Sequence, residues 1–176
     1  SKSIVIEQEI VYENNSDPTL TEIYLNDWAN SFSSKTTPLA KRFAENYQAS
    51  FHFENNKNRG HTKILKINNS IDESLNWSRH GQLDIIKVEL DERLLPGESC
   101  ILKLEYKIIL PDDKFTRYGI AKNGAIKVRY WYLSPAVFDK KWQIYSNKDL
   151  NDLYLAPSTF KIRFKTPENY ELISDL

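Results

Sequence analysis

Hydrolysis at a bound zinc ion needs three protein ligands around the metal and a carboxylate to activate water, most simply two histidines one helical turn apart with a glutamate beside them. The three histidines of this sequence, His52, His61 and His80, stand nine and nineteen residues apart, none opens an H-E-x-x-H, and all lie in or beside polar loop sequence. Each is expected at the surface. Ser99 follows Gly97 but lacks the second glycine of a nucleophile elbow and runs directly into a strand. Cys100 heads that strand among apolar residues, where a thiol is a small hydrophobe rather than a thiolate nucleophile. Five glycines occur, none in a G-x-G-x-x-G or G-K-[ST] setting, so no phosphate cradle is expected. The acidic pairs Asp91-Glu92 and Asp112-Asp113 read as turn residues bonding nearby backbone N–H groups. No catalytic, cofactor-binding or metal-ligating residue is assigned.

The densest unusual feature is aromatic: Phe115, Tyr118, Tyr130, Trp131, Tyr132, Phe138, Trp142, Tyr145 and Tyr154 fall within one stretch of chain. If residues 126–133 form a strand, Tyr130 and Tyr132 share one face and Arg129, Trp131 and Leu133 the other, so one core face cannot hold every ring. Some rings must then meet a second sheet, a sugar or a neighbouring domain.

The elements that would position these rings are strands. Leu102, Leu104, Tyr106, Ile108 and Leu110 alternate with Lys103, Glu105 and Lys107. Phe160, Ile162 and Phe164 alternate with Lys161, Arg163 and Lys165, and Ile4, Ile6, Ile10 and Tyr12 line one side of an opening strand. Period-two alternation of this kind marks half-buried antiparallel strands. Further strands are expected over 20–28, 62–68, 84–90, 126–133 and 141–145, at the spacing of a sandwich. Leu95-Pro96-Gly97-Glu98 should turn strand 84–90 into strand 99–110. One short helix near 38–48 breaks the pattern: Thr37 can cap it, Pro38 suits its first position, and Leu39, Phe43 and Tyr47 recur four apart. Residues 54–60 are polar enough to be a loop.

The expected architecture is therefore all-β, an antiparallel sandwich in a single domain over 1–176. Lysine plus arginine (24) balances aspartate plus glutamate (24), so no net field gathers nucleic acid or anionic lipid. No apolar run approaches the roughly 18 residues of a spanning helix. A lone cysteine forms no internal disulfide and leaves the redox compartment open. Methionine is absent even at position 1, and Leu172-Ile173-Ser174-Asp175-Leu176 stops inside an apolar segment; both ends read as those of a piece of a longer chain.

Four stretches resemble the amino-terminal β domain of the aminopeptidase N family of zinc metallopeptidases, in its bacterial branch. They are Tyr12 to Ser16 with Leu20 to Asn26; Leu94 to Ser99 leading to Leu104-Glu105-Tyr106; Trp131 to Asp139; and Phe160 to Phe164 with Pro167 and Leu172-Ile173-Ser174. The third departs from the family's usual form, having Lys140-Lys141 where many members continue with an acidic residue and proline. The resemblance implies a saddle-like β-sandwich docked on a downstream thermolysin-like catalytic domain, which holds zinc through its own H-E-x-x-H helix and a distant glutamate. None of those ligands lies in this chain. It also implies that opening strands of the family domain precede Ser1, and that this domain walls one side of the peptide-substrate cleft. Some members grip the free amino terminus with a glutamine or glutamate from the loop before the aspartate segment. Between Tyr118 and Arg129 there is neither; Asn123 is the nearest analogue in type, and no peptide-gripping residue is assigned.

Two readings follow. In the first, the chain is the non-catalytic scaffold and substrate-cleft domain of a zinc-dependent aminopeptidase. In the second, it is a stand-alone module that stacks carbohydrate on Trp131, Tyr132 and Trp142.

Overall fold

The computed structural model describes residues 3–79, 81–148 and 154–174. Alternation becomes pairing in the two longest strands, β1 (Ser3–Glu13) and β6 (Ser99–Ile109), which run antiparallel from Ser3 opposite Ile109 to Glu13 opposite Ser99. β3 (His61–Asn68) adds to the other side of β6, giving a sheet ordered β1-β6-β3. A second antiparallel sheet has the order β4-β5-β2-β9, from β2 (Leu20–Asn26), β4 (Trp77–Arg79), β5 (Ile85–Leu94) and β9 (Ser134–Pro135).

The two sheets share one core. Ile6, Ile10, Leu102, Leu104, Tyr106 and Ile108 from the first meet Ile23, Leu25, Ile86 and Val88 from the second. This is the antiparallel sandwich that the alternation implies, with few helices. The turn at Leu95–Glu98 joins β5 to β6 as expected. Gly97 takes φ +80, open only to a residue without Cβ strain, and its N–H reaches the Asn14 carbonyl at 2.8 Å.

The helix forms as α1 (Pro38–Glu45), capped by Thr37, whose hydroxyl accepts from the Ala40 N–H at 3.2 Å. With the 3-10 turn Trp28–Phe32 and α2 (Ser50–Phe53), it closes one end of the sandwich. There Phe51 sits 5.3 Å from Phe43 and 5.1 Å from Phe115, while Tyr118 stacks on Phe32 at 5.4 Å. Among the described residues, no helix is long and apolar enough to cross a membrane.

Several local expectations are corrected. The first helix stops at Glu45, because Tyr47 adopts φ +59; Tyr47 lies beyond the helix and stays exposed instead of sharing its buried face. The strand expected over 20–28 ends at Asn26, where Asp27 donates its N–H to the Asp84 carbonyl and the chain bends into the 3-10 turn. Asp91 and Glu92 are not a turn but part of β5, which continues to Leu94 past a register shift opposite β2.

The span 126–133 contributes only β8 (Ile126–Lys127), paired with β7 (Gly119–Ile120). Tyr130 at φ +49 breaks any extension, so Trp131 and Tyr132 do not take opposite faces; both are half-buried, their rings 5.7 Å apart. The strand expected at 160–164 does not form; Phe164 and Phe160 are laid on the rings of Trp131 and Tyr132. Residues 141–145 shorten to β11 (Lys141–Gln143), hairpinned to β10 (Val137–Asp139).

Candidate functional site

The aromatic residues divide between core and rim. Phe115 and Tyr118 are buried in the helical end. Trp142 is held by Tyr12 (5.9 Å), Tyr24 (5.6 Å) and Phe138 (5.2 Å, edge-on), covering the flank between the sheets. Tyr130 meets the edge of Trp28 at 5.7 Å, and Tyr145 meets Tyr154 at 6.3 Å.

A second group forms where the 131–133 segment crosses the sandwich. Phe164 packs 6.0 Å from Trp131, and Phe160 packs 4.9 Å from Tyr132. The backbone under them is pinned to sheet 1. Leu133 donates its N–H to the Tyr106 hydroxyl at 3.0 Å, its carbonyl accepts from Gln8 Nε2 at 2.7 Å, and the Tyr106 hydroxyl donates to Gln8 Oε1 at 2.5 Å. Above this anchor Phe160 and Phe164 remain 47% and 39% exposed, and a cavity of about 410 Å³ is lined by Phe160, Ile162, Phe164 and Ser174. The rings are thus packed on one side and open to solvent on the other. Trp131 and Tyr132 therefore belong to one aromatic group and Trp142 to another.

The polar residues with perturbed chemistry lie elsewhere, at the closed end. Asp27, 1% exposed, accepts from Thr62 Oγ1 at 2.6 Å and pairs with Arg79 Nη2 at 2.8 Å. Asp84 accepts from Ser146 Oγ at 2.7 Å and from the Asn147 N–H at 2.8 Å; Asn147 Nδ2 reaches Ser31 Oγ at 3.1 Å. Burial pushes both carboxyls above the ordinary range; Arg79 and Thr62 oppose this at Asp27, as Ser146 and the Asn147 N–H do at Asp84. Each carboxylate oxygen holds a piece of chain: Asp27 ties β2 to β3 and β4, and Asp84 ties β5 to residues 146–147. The arrangement is a clamp closed to substrate.

The residues weighed for chemistry are not brought together. His52 lies in α2 beside Phe51, His61 opens β3 on its exposed side, and His80 falls outside the described residues. Among the described residues no group of three or more His, Cys, Asp or Glu side chains is placed to hold a metal ion. Cys100 is half-buried, and burial together with the Asp91 charge pushes its thiol up to about 11, opposite to an activated nucleophile. Asn123 lies in the β7–β8 turn, where its Oδ1 accepts from the Ala125 N–H at 3.1 Å. Asp112 and Asp113 flank the crossing of that hairpin, Asp113 donating its N–H to the Ile120 carbonyl at 3.1 Å.

The Asp27–Asp84 clamp went unread in the sequence. The one available signal was Asn26-Asp27 followed by Trp28 at the end of an apolar strand, a polar pair where alternation alone would bring an apolar residue. No family model, no curated protein and no solved structure matches this chain.

Proposed function

We propose that this chain is the non-catalytic scaffold and substrate-cleft domain of a zinc-dependent aminopeptidase, whose metal and activated water belong to a downstream domain. Its partners are then that catalytic domain and the peptide lying between them. The observation that carries the reading is that the four stretches resembling the aminopeptidase N amino-terminal domain meet in pairs.

Asn14, from the first stretch, is fully buried. It donates its side-chain amide to the carbonyls of Pro18 at 2.9 Å and Leu94 at 3.0 Å, and its backbone N–H to Glu98 at 2.9 Å, so it fixes the Pro96-Gly97 turn of the second stretch. Trp131 and Tyr132, from the third, contact Phe164 and Phe160 of the fourth. The likeness thus falls on residues that hold the sandwich together and on its aromatic rim. Beyond that rim Tyr170, Leu172 and Ile173 are 43%, 53% and 87% exposed, the kind of apolar tract that a neighbouring domain covers.

The test is the reading frame downstream of Leu176 and the protein it encodes. The proposal expects an H-E-x-x-H within roughly two hundred residues, a helix carrying glutamate after it, and chelator-sensitive release of aminoacyl reporters by the full-length product. A stop codon, or a full-length product lacking the motif, overturns it.

A further inference from the structure

β1 lies at the edge of its sheet, its eleven residues pairing with β6 alone among the described strands. The opposite edge, β3, is interrupted by a register shift at Ile64/Lys66, a common way of blunting an edge; β1 has no shift, no proline and no lysine within Val5–Glu13. Its outward row reads Val5, Glu7, Glu9, Val11, Glu13, all exposed, and its inward row Ile6, Gln8, Ile10, Tyr12. That edge asks for an extended strand with basic residues on one face and apolar residues on the other.

The chain contains a sequence with that alternation: Phe160, Ile162 and Phe164 alternate with Lys161, Arg163 and Lys165 in a segment that pairs with no described strand. An antiparallel register placing Arg163 opposite Glu9 also sets Lys165 opposite Glu7, Ile162 opposite Ile10 and Phe160 opposite Tyr12. Two β1 strands cannot serve each other as well, since a two-fold axis at Gln8 puts Glu7 opposite Glu9 of the second copy, like against like. Among the described residues of one copy, the outer side of Val5–Glu13 and residues 160–165 pair with no strand. Two copies satisfy both at once through a closed two-fold exchange.

We propose that the outer edge of β1 over Val5–Glu13 is a strand-docking site for residues 160–165 of a second copy of this chain. The reciprocal exchange buries both ring rows and neutralises both acidic edges. It stands independently of the aminopeptidase reading.

The test is sedimentation equilibrium of the 176-residue chain on the order of 10 to 500 μM, with Glu7→Lys plus Glu9→Lys, Arg163→Glu plus Lys165→Glu, and all four together. These side chains are exposed, and unchanged far-ultraviolet circular dichroism checks that each variant keeps its fold. Expected is a monomer–dimer equilibrium weakened about tenfold or more by either pair of reversals and restored to within about threefold by the four together. A monomer at every concentration overturns the proposal, as does a dimer indifferent to the reversals. Charge reversals that shift thermal unfolding and rescue each other in a strict monomer would place the strand on its own β1, which overturns the two-copy exchange as well.

Discussion

Tyr106→Phe isolates the hydroxyl that pins the aromatic segment to the first sheet. The ring is fully buried between β1 and β3, and the substitution removes one oxygen while leaving the packed volume nearly unchanged, so no cavity term enters. Two bonds go: the one accepted from the buried Leu133 N–H and the one donated to Gln8 Oε1. A buried donor left without a partner costs about 1–3 kcal/mol; Gln8 is only half-buried and recovers part of its loss from water. The expected sum is about 2–3 kcal/mol, which for a chain of this size lowers Tm by roughly 5–10 °C. Differential scanning calorimetry measures it, with Gln8→Leu and the double variant completing a cycle. Because both residues hold the same segment, the double variant should lose less than the two single losses added together. A Tm within about 2 °C of the parent, or strict additivity, refutes the anchor.

Four further outcomes follow from the same geometry. Asn14→Ala orphans the Pro18 and Leu94 carbonyls beneath the Pro96-Gly97 turn and should cost about 2–3 kcal/mol in urea unfolding, with a loss below about 0.5 kcal/mol arguing against the lock. Gly119→Ala brings a Cβ to 2.4 Å from the Pro111 carbonyl oxygen at φ +135, so it should unfold or severely destabilise the β7–β8 region by calorimetry, and a native-like Tm would show that this approach is not tight.

For Asp84 the folded carboxyl titrates above its ordinary 3.8, so the stability it contributes is complete below that value and is lost as pH rises through the raised one. The stability of the parent minus that of Asp84→Asn, from urea titrations, should therefore fall as pH rises above 3.8, and a rise would show that the hydrogen bonds from Ser146 and Asn147 outweigh burial. Glu54 runs the other way: Lys114 first, then Asn58 and the Asn55 N–H, hold it at about 2, so its contribution is present above 4.5 and disappears as pH falls toward 2. NMR titration of Glu54 in the parent and in Lys114→Ala checks this, the variant's value moving upward.

What the sequence disclosed and what it hid follow one physical rule. Alternation reports which side chains turn inward, so the apolar row Leu102 to Leu110 was readable, and every member is buried. Turn and cap chemistry is equally local, which is why Pro96-Gly97 and Thr37-Pro38 read true. Alternation does not report whether a partner edge exists. The rows at 126–133 and 160–164 carry the same periodicity, yet one is broken at Tyr130 and the other rests ring on ring. Polar residues drawn inward are harder still: Asp27, Asn30, Asp84 and Asn147 look like surface residues one at a time, and only the fold brings their partners together. The aromatic abundance was plain, but its division into the group around Trp142 and the group around Trp131 depends on which strands cross.

The most direct test of the central claim, that this chain supports a peptidase without supplying its chemistry, is hydrolysis of aminoacyl reporters by the purified 176 residues with and without added zinc. The account predicts release indistinguishable from buffer in both. Turnover that follows the chain through purification, depends on zinc and is abolished by His52→Ala or His61→Ala would contradict it.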